Sequence, residues 1–181
     1  MVKKLTCSIF IADLGDRSNS SSASSSHSSR TIYFKNDGTR FEPNICASTL
    51  KLSNENRYRF RIVLKSTPSS ISAIRINDIP MQYQCRYDDD DECVELSFEM
   101  DARQISIAAN HGRTRLIIQI DFMDFHHLDL GIQTKFYDRC DSHLTWGQPF
   151  RSLIAEAESS SSSLKFNDKN FVLTKMNFLS M

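Results

Sequence analysis

The stretch Tyr58–Lys65 has the sequence YRFRIVLK and alternates apolar side chains with polar or basic ones. Its apolar positions are Tyr58, Phe60, Ile62 and Leu64, and its basic positions are Arg59, Arg61 and Lys65. Successive side chains of a β-strand point to opposite faces of the sheet, so a period of two residues is typical of a strand. The stretch therefore predicts a strand with one face in a core and the other in water.

The same period dominates the rest of the chain. The sequence CVELSFEM at 93–100 repeats it, and further candidate strands lie at 5–12, 71–76, 115–122 and 130–136, with shorter ones at 31–35, 47–52 and 170–174. Segments rich in Asn, Asp, Gly and Pro separate these runs and predict turns. About nine or ten short strands predict an all-β fold, either a sandwich or a barrel. Residues 152–158 fit a short helix and a strand equally well.

Size and charge are those of an ordinary globular domain. The 181 residues fit a single domain, 1–181, with its own core. Lys plus Arg and Asp plus Glu both number 22, so the net charge is zero. A neutral chain gives no general attraction to nucleic acid or to an acidic membrane, and any electrostatic function must be local.

The sequence shows no targeting signal, and together with the pattern of its cysteines this predicts a cytoplasmic protein. No apolar run is long enough to span a membrane. The apolar stretch after Lys4 is interrupted by Thr6 and Ser8, which indicates a strand and not a signal peptide. The five cysteines are odd in number and contain no CxxC pair, which argues against a disulfide framework and a zinc site. Reduced thiols in the cytosol are the expectation.

Two segments are low in complexity. Nine of the fourteen residues at 17–30 are serine, and 159–163 is an unbroken serine run. Such polar tracts bury too little apolar surface to offset their chain entropy, so both are predicted to be mobile. The first is predicted to be a loop insertion between two strands, and the second a linker before an apolar segment, 171–179, that returns to the sheet.

Catalytic and cofactor motifs do not occur in the sequence. It contains no nucleophile elbow, Walker loop or dinucleotide fingerprint, and its five glycines are dispersed. The segment 121–129, DFMDFHHLD, has metal-ligand residue types, but adjacent histidines on a strand point to opposite faces, so a polar loop is favoured. The acidic run 88–92 lacks the spacing of a calcium loop and predicts a solvated hairpin tip. We therefore expect no enzyme, no cofactor and no metal.

Two features are candidates for binding. The basic positions Arg59, Arg61 and Lys65 fit an anionic partner, although the wet face of a half-buried strand explains them as well. The segment WGQPF runs from Trp146 to Phe150 and predicts a rigid turn. Its indole can plug one end of the core or line the mouth of a binding pocket, and the plug is favoured.

Two blocks of sequence resemble the cannabinoid receptor-interacting protein family. The first, IYFKNDGTRF at 32–41, is similar to that family's FYK-x-DG-x-RF segment, and the second, KFY at 135–137 with WGQPF at 146–150, is similar to its KFY…WG-x-PF block. Weaker similarity covers 58–80 and 167–171. The matching positions are Tyr33, Asp37, Gly38, Arg40, Phe41, Phe136, Tyr137, Trp146, Gly147, Pro149 and Phe150. The chain departs from the family at 17–30, at 82–112 and in a longer C-terminal end.

The resemblance implies a fold and a function. The fold is a single-domain antiparallel β-barrel or sandwich, similar to the immunoglobulin-like fold of the Rho GDP-dissociation inhibitor. The function is that of a non-enzymatic adaptor that binds the cytoplasmic C-terminal tail of a G protein-coupled receptor, such as the type 1 cannabinoid receptor, and modulates its signalling. Such a protein is expected in the cytoplasm and, through its receptor, at the inner face of the plasma membrane. The alternative is a carrier that encloses a lipid or lipidated protein tail in a hydrophobic barrel.

Overall fold

The computed structural model describes residues 4–16, 30–36, 48–66, 70–88, 93–106, 112–124, 126–159 and 169–181. Several positions considered above lie outside these residues: Asp37, Gly38, Arg40, Phe41, and the parts of the serine tracts and the acidic run at 17–29, 160–163 and 89–92. The predicted loop, linker and hairpin tip at these positions stay predictions.

The described chain is almost entirely β-structure. Its strands are β1 (Lys4–Gly15), β2 (Tyr33–Asn36), β3 (Ser48–Ser53), β4 (Arg57–Lys65), β5 (Ile71–Ile76), β6 (Ile79–Pro80), β7 (Tyr83–Asp88), β8 (Cys93–Asp101), β9 (Arg113–Phe122), β10 (His126–Tyr137), β11 (Gln148–Ser159) and β12 (Lys169–Ser180). A short helix, α1 (Ala102–Ser106), follows β8, and a 3-10 helix (Ser142–Thr145) precedes β11. None of the described helices has the length and apolarity that crossing a membrane requires.

The predicted all-β barrel or sandwich is confirmed, and three local predictions are resolved. The ambiguous segment 152–158 is part of β11, the terminal apolar segment forms β12, and β7 pairs with β8 as a hairpin. Among the described strands, pairing is antiparallel except that β10 runs parallel to β3 and to β12. The helix α1 was not predicted; its Ala102 and Ile105 are buried, so it covers part of the core.

Five strands close into a ring. The hydrogen-bonded order is β10–β3–β2–β11, and β12 pairs with both β11 and β10 to complete the circle. The contact between β2 and β11 consists of two residue pairs, and that between β10 and β12 of three. These two short contacts therefore decide whether the sheet is closed or open.

Two groups of strands extend from the ring. The β9 wing (β9, β5 and β6) continues from β10, and the β4 wing (β1, β4, β8 and β7) continues from β11. Their free edges meet where the Tyr83 hydroxyl donates to the Ile71 carbonyl and the Ile71 N–H donates to the Tyr87 hydroxyl, both at 3.4 Å. The buried side chains of both wings and of the ring form one hydrophobic core, so the described residues make one structural unit.

The described residues that flank positions 17–29 lie side by side. Asp13, near the end of β1, forms an isolated antiparallel bridge with Arg30. The Asp13 carboxylate also accepts hydrogen bonds from the Asn56 side chain, which ties this point to the β3–β4 turn. A short turn can therefore join the two flanks without moving either strand.

Replacement of residues 17–29 by a short turn is expected to leave the free energy of unfolding nearly unchanged. The closure entropy of a flexible loop changes by only about 0.6 kcal/mol for each doubling of its length. Urea denaturation of the parent and the shortened protein measures the difference. A loss of more than about 2 kcal/mol would instead show that the tract packs against the domain.

Candidate functional site

The two blocks that carry the family resemblance meet in space. Tyr33 and Phe34 of β2 pair with Pro149 and Gln148 of β11. Gly147 precedes this contact with a φ of +128°, and a Cβ added to it would clash with the carbonyl oxygen of Phe34. Glycine is required here both by the positive φ and by the closeness of the backbones. Gly147 of the second block therefore lies at the point where the backbone of the first block comes closest.

An aromatic cluster fills the ring beneath this contact. The rings of Phe34 and Phe150 meet edge to face at 6.4 Å, and both contact Phe178 of β12, at 5.1 and 5.7 Å. Phe34 and Phe150 are buried. Buried aromatic pairs contribute about 0.5–1.5 kcal/mol beyond the area that they bury. Phe150, predicted as a partner contact, is therefore a core residue that joins three strands.

The prediction that Trp146 plugs the core is wrong. Its side chain is 59% exposed, and its indole contacts the His143 ring at 4.2 Å on the outer surface. The physical reason is the Gly147 turn, which aims Phe150 inward and leaves Trp146 outside the ring. The core function predicted for the indole is performed by Phe150, four residues further on.

The segment that holds Trp146 is fastened to the sheet by one lysine. Lys51 of β3 is only 5% exposed, and its ammonium donates to the carbonyl oxygens of His143 at 2.6 Å and Trp146 at 2.5 Å. Asp141 caps the 3-10 helix by accepting from the His143 backbone N–H at 2.8 Å, and this bond lowers the pKa of the Asp141 carboxyl. The segment is thus held at both ends of its single turn.

Beside this segment lies a cleft with basic walls, which we call the basic cleft. Its volume is about 340 Å³, and it is lined by Lys35, Thr49, Lys51, Arg113, Lys135 and Tyr137. The ammonium nitrogens of Lys135 and Lys51 lie over the Tyr137 ring, 4.8 and 5.4 Å from its centre. Lys35, Lys135 and Tyr137 belong to the two sequence blocks, so the family resemblance and the cleft coincide.

The predicted basic strand has a different environment. On β4, Arg59 contacts Glu99 of β8 at 2.8 Å, and Arg61 contacts Glu95 at 3.2 Å. Arg61 also covers the Phe10 ring at 4.3 Å. Lys65 lies exposed at the end of the strand, opposite Thr6 and Cys93. The two arginine charges are therefore compensated within the sheet, and partner binding by this face stays a prediction.

The histidine pair lies on β10 and not in the polar loop that the sequence favoured, and it divides between the two faces of that strand. His126 is buried and packs against Phe171 at 5.3 Å. His127 faces outward, where Asp121 and Asp129 contact its two ring nitrogens at 2.6 and 2.8 Å. Within the described ranges, no group of three or more His, Cys, Asp or Glu side chains is placed to hold a metal ion. The four cysteines described there are free thiols, and burial raises the pKa of the Cys7 thiol.

Sequence reasoning missed all four basic residues of the cleft as site residues: Lys35, Lys51, Arg113 and Lys135. Lys51 stands between two apolar leucines and has the sequence pattern of an ordinary wet position on a strand. Lys51 lies opposite Lys135 and Tyr33, and Lys135 lies opposite Arg113. These pairings arise only from the register of β2, β3, β10 and β9. The parallel β3–β10 contact that sets this register leaves no signal in either strand alone.

Comparison with known families gives one match that covers most of the chain. Residues 20–171 match the family described as CB1 cannabinoid receptor-interacting protein 1. No curated protein matches the chain in a sequence search.

Trp146→Ala and Phe150→Ala are expected to differ in stability. Loss of a buried Phe from the cluster should cost about 3–5 kcal/mol, whereas loss of an exposed side chain should change the free energy of unfolding by no more than about 0.5 kcal/mol. Thermal or urea denaturation followed by circular dichroism measures both. A large loss with Trp146→Ala would place the indole in the core after all.

Lys51→Met is expected to release the 3-10 segment. The substitution removes a charged donor and leaves two carbonyl groups without it; a hydrogen bond to a charged group contributes about 1.5–3 kcal/mol. Because Trp146 is the single tryptophan, its fluorescence should become more solvent-like and the segment more sensitive to limited proteolysis. Lys175→Met, at an exposed position on β12, is the control; equal behaviour of the two variants would contradict the anchoring role.

Proposed function

Because the chain belongs to the CB1 cannabinoid receptor-interacting protein 1 family, we propose that it is a non-enzymatic adaptor that binds the cytoplasmic C-terminal tail of a G protein-coupled receptor of the cannabinoid type and modulates its signalling. The family match confirms the resemblance found in the two sequence blocks. The proposal has three parts: binding of the receptor tail, the adaptor activity, and a cytoplasmic location at the inner face of the plasma membrane.

One observation supports a binding surface at a particular place. Both sequence blocks contribute to the same outer face, where the basic cleft adjoins the segment that Lys51 holds and that presents Trp146. An exposed tryptophan on an anchored backbone is an unusual surface residue, since most large aromatic side chains are buried. We assign this face, formed by the basic cleft and Trp146, as the tail-binding surface.

The two parts of this surface have complementary tasks. Tryptophan side chains dominate the energetics of many protein interfaces because they bury a large rigid area. Four cations beside it attract an acidic segment and set the direction in which a peptide lies. An extended tail can therefore place an apolar side chain on Trp146 and an acidic one in the cleft.

A second route to peptide binding uses the sheet edges. Among the described strands, β7 pairs only with β8 and β6 only with β5, so each has an edge that could accept a further strand. The Tyr83 and Tyr87 hydroxyls of β7 already contact the backbone of Ile71, at the start of β5. Since those contacts already join β7 to the start of β5, the face with Trp146 is the better supported surface.

The carrier hypothesis has less support from the described interior. A barrel needs about eight strands before its interior is wide enough to hold even a small ligand. The ring here has five strands, and Phe34, Phe150 and Phe178 occupy it. Native mass spectrometry of the purified protein tests the hypothesis directly, because a co-purified lipid would favour the carrier over the adaptor.

Trp146→Ala is expected to weaken tail binding by tenfold or more while the melting temperature stays that of the parent. This expectation follows from the loss of about 2 kcal/mol that a tryptophan at an interface centre typically contributes. Fluorescence anisotropy with a labelled peptide of the type 1 cannabinoid receptor C-terminal tail measures the affinity. Met123→Ala is the control, since Met123 is 63% exposed and lies at the β9–β10 turn.

Two outcomes would contradict the proposal. Absence of any binding of the tail peptide by the parent protein would reject the receptor-tail function. Binding that Trp146→Ala leaves unchanged would keep the function and reject this face as the binding surface.

A further inference from the structure

The exposed Trp146 indole has one ring partner among the described residues, and that partner lies on its own segment. The His143 ring precedes it by three positions, with the two ring centres 4.2 Å apart and the planes inclined by 64°. Side chains three residues apart on a 3-10 helix lie one above the other. The type of helix therefore brings these two rings into an edge-to-face contact, which is a favoured arrangement of aromatic rings.

The His143 ring is itself oriented by Asp141. Its Nδ1 atom lies 2.9 Å from Oδ1 of Asp141, the same oxygen that accepts from the His143 backbone N–H. The backbone bond and, after it, the side-chain contact lower the pKa of the Asp141 carboxyl, so that it remains an ionised acceptor at neutral pH. Since a carboxylate only accepts, Nδ1 carries the proton and donates it. Asp141 therefore positions His143, and His143 contacts Trp146.

The side chain of His143 is not what fastens the segment to the sheet. That fastening uses backbone groups: the carbonyl oxygens of His143 and Trp146 accept from the Lys51 ammonium, and the Trp146 N–H donates to the His143 carbonyl at 3.3 Å. No residue of the 3-10 helix is buried, and the His143 side chain is 56% exposed. The imidazole thus adds nothing to the core, and beyond Asp141 its contact is with the indole.

The freedom of the indole matters for binding. An exposed side chain changes rotamer on a timescale of picoseconds to nanoseconds. A partner that binds it must immobilise it, and this loss of conformational freedom weakens the association. An aromatic side chain that is already held in one orientation avoids that loss, which is why rigid aromatic anchors are effective at interfaces.

Resting on the proposed function, we propose that His143 is the positioning residue of the tail-binding surface: its ring, oriented by Asp141, holds the Trp146 indole in the orientation that the tail meets. His143 acts through Trp146 and not through a contact of its own with the tail. The binding surface is thereby preorganised by a local chain of three side chains and not by the core.

The first measurement is made without a tail peptide. Trp146 is the single tryptophan of the chain, so time-resolved fluorescence anisotropy of the full chain reports the motion of this indole alone. In the parent, the anisotropy should decay mainly with the tumbling of the whole protein. His143→Ala should add a fast component from motion of the indole. His143→Phe should suppress that component again, because it keeps an aromatic ring beside the indole.

His127→Ala is the matched control. His127 also contacts carboxylates, those of Asp121 and Asp129, but it lies near the start of β10, whereas the 3-10 segment follows the end of that strand. Its loss should leave the anisotropy decay of Trp146 unchanged. Limited proteolysis of the segment should proceed equally in the parent and in His143→Ala, because the fastening bonds belong to the backbone.

The second measurement is the affinity for the labelled peptide of the type 1 cannabinoid receptor C-terminal tail. His143→Ala should weaken binding by about two- to tenfold, the effect expected from freeing one side chain at an interface. His143→Phe should bind within about twofold of the parent, as is usual for an exposed substitution. In a Trp146→Ala background, His143→Ala should cause no further loss, since the two residues act as a unit.

Four outcomes would overturn the inference. The first two are equal motion of the indole in the parent and in His143→Ala, and no recovery with His143→Phe. The third is faster proteolysis of the segment in His143→Ala, which would make the imidazole a fastening group. The fourth is a further loss of affinity when His143→Ala is added to Trp146→Ala, which would show that the histidine contacts the tail itself.

Failure of the receptor-tail function would be recognised separately. If the parent did not bind the tail peptide, that function would be rejected. The anisotropy of Trp146 in the parent, His143→Ala and His143→Phe would still decide whether His143 holds the indole, because that measurement uses no peptide.

Discussion

The close approach of Gly147 to the Phe34 carbonyl is the constraint on which the structure depends. It allows β2 to reach β11, and that contact of two residue pairs closes the ring. Closure brings Phe34 and Phe150 together with Phe178, and it fixes where β3 and β10 lie. Any side chain at position 147 would separate the two backbones. The ring would then lose one of its two short contacts, and β12 alone would connect β11 to β10.

On the outer face, Lys51 fixes the 3-10 segment to the sheet. A buried ammonium group is costly unless it has hydrogen-bond partners, and here the carbonyls of His143 and Trp146 supply them. The segment is therefore held against the sheet, and its tryptophan is held away from it. One residue thus stabilises the segment, exposes the aromatic side chain and adds charge to the basic cleft. A substitution at Lys51 would consequently change the stability of the segment as well as the charge of the cleft.

The two basic surfaces of the protein show that charge alone is a poor guide to a binding site. Arg59 and Arg61 form the more conspicuous pattern in the sequence, yet their partners Glu99 and Glu95 lie on the adjacent strand. Exposed pairs of this kind contribute about 0–1 kcal/mol, and they lower the local potential. Lys35 and Lys135 are less conspicuous in the sequence, yet both line one cleft. The topology decides which strand lies beside each basic residue, and therefore which side chains it meets.

The sequence by itself determined the fold class, most strands and the family. Alternation at positions such as Phe60 and Ile62 follows from the geometry of a single strand, so no tertiary information is needed to detect it. Trp146 and Phe150 were both recognised as important, but which of them enters the core was assigned wrongly, because the direction of a side chain after a glycine turn depends on the backbone that the turn meets. The basic cleft was not foreseen at all. Arg113, Lys135 and Lys51 are far apart in the chain, and only the register of β9, β10 and β3, set by closure of the ring, places them in one row.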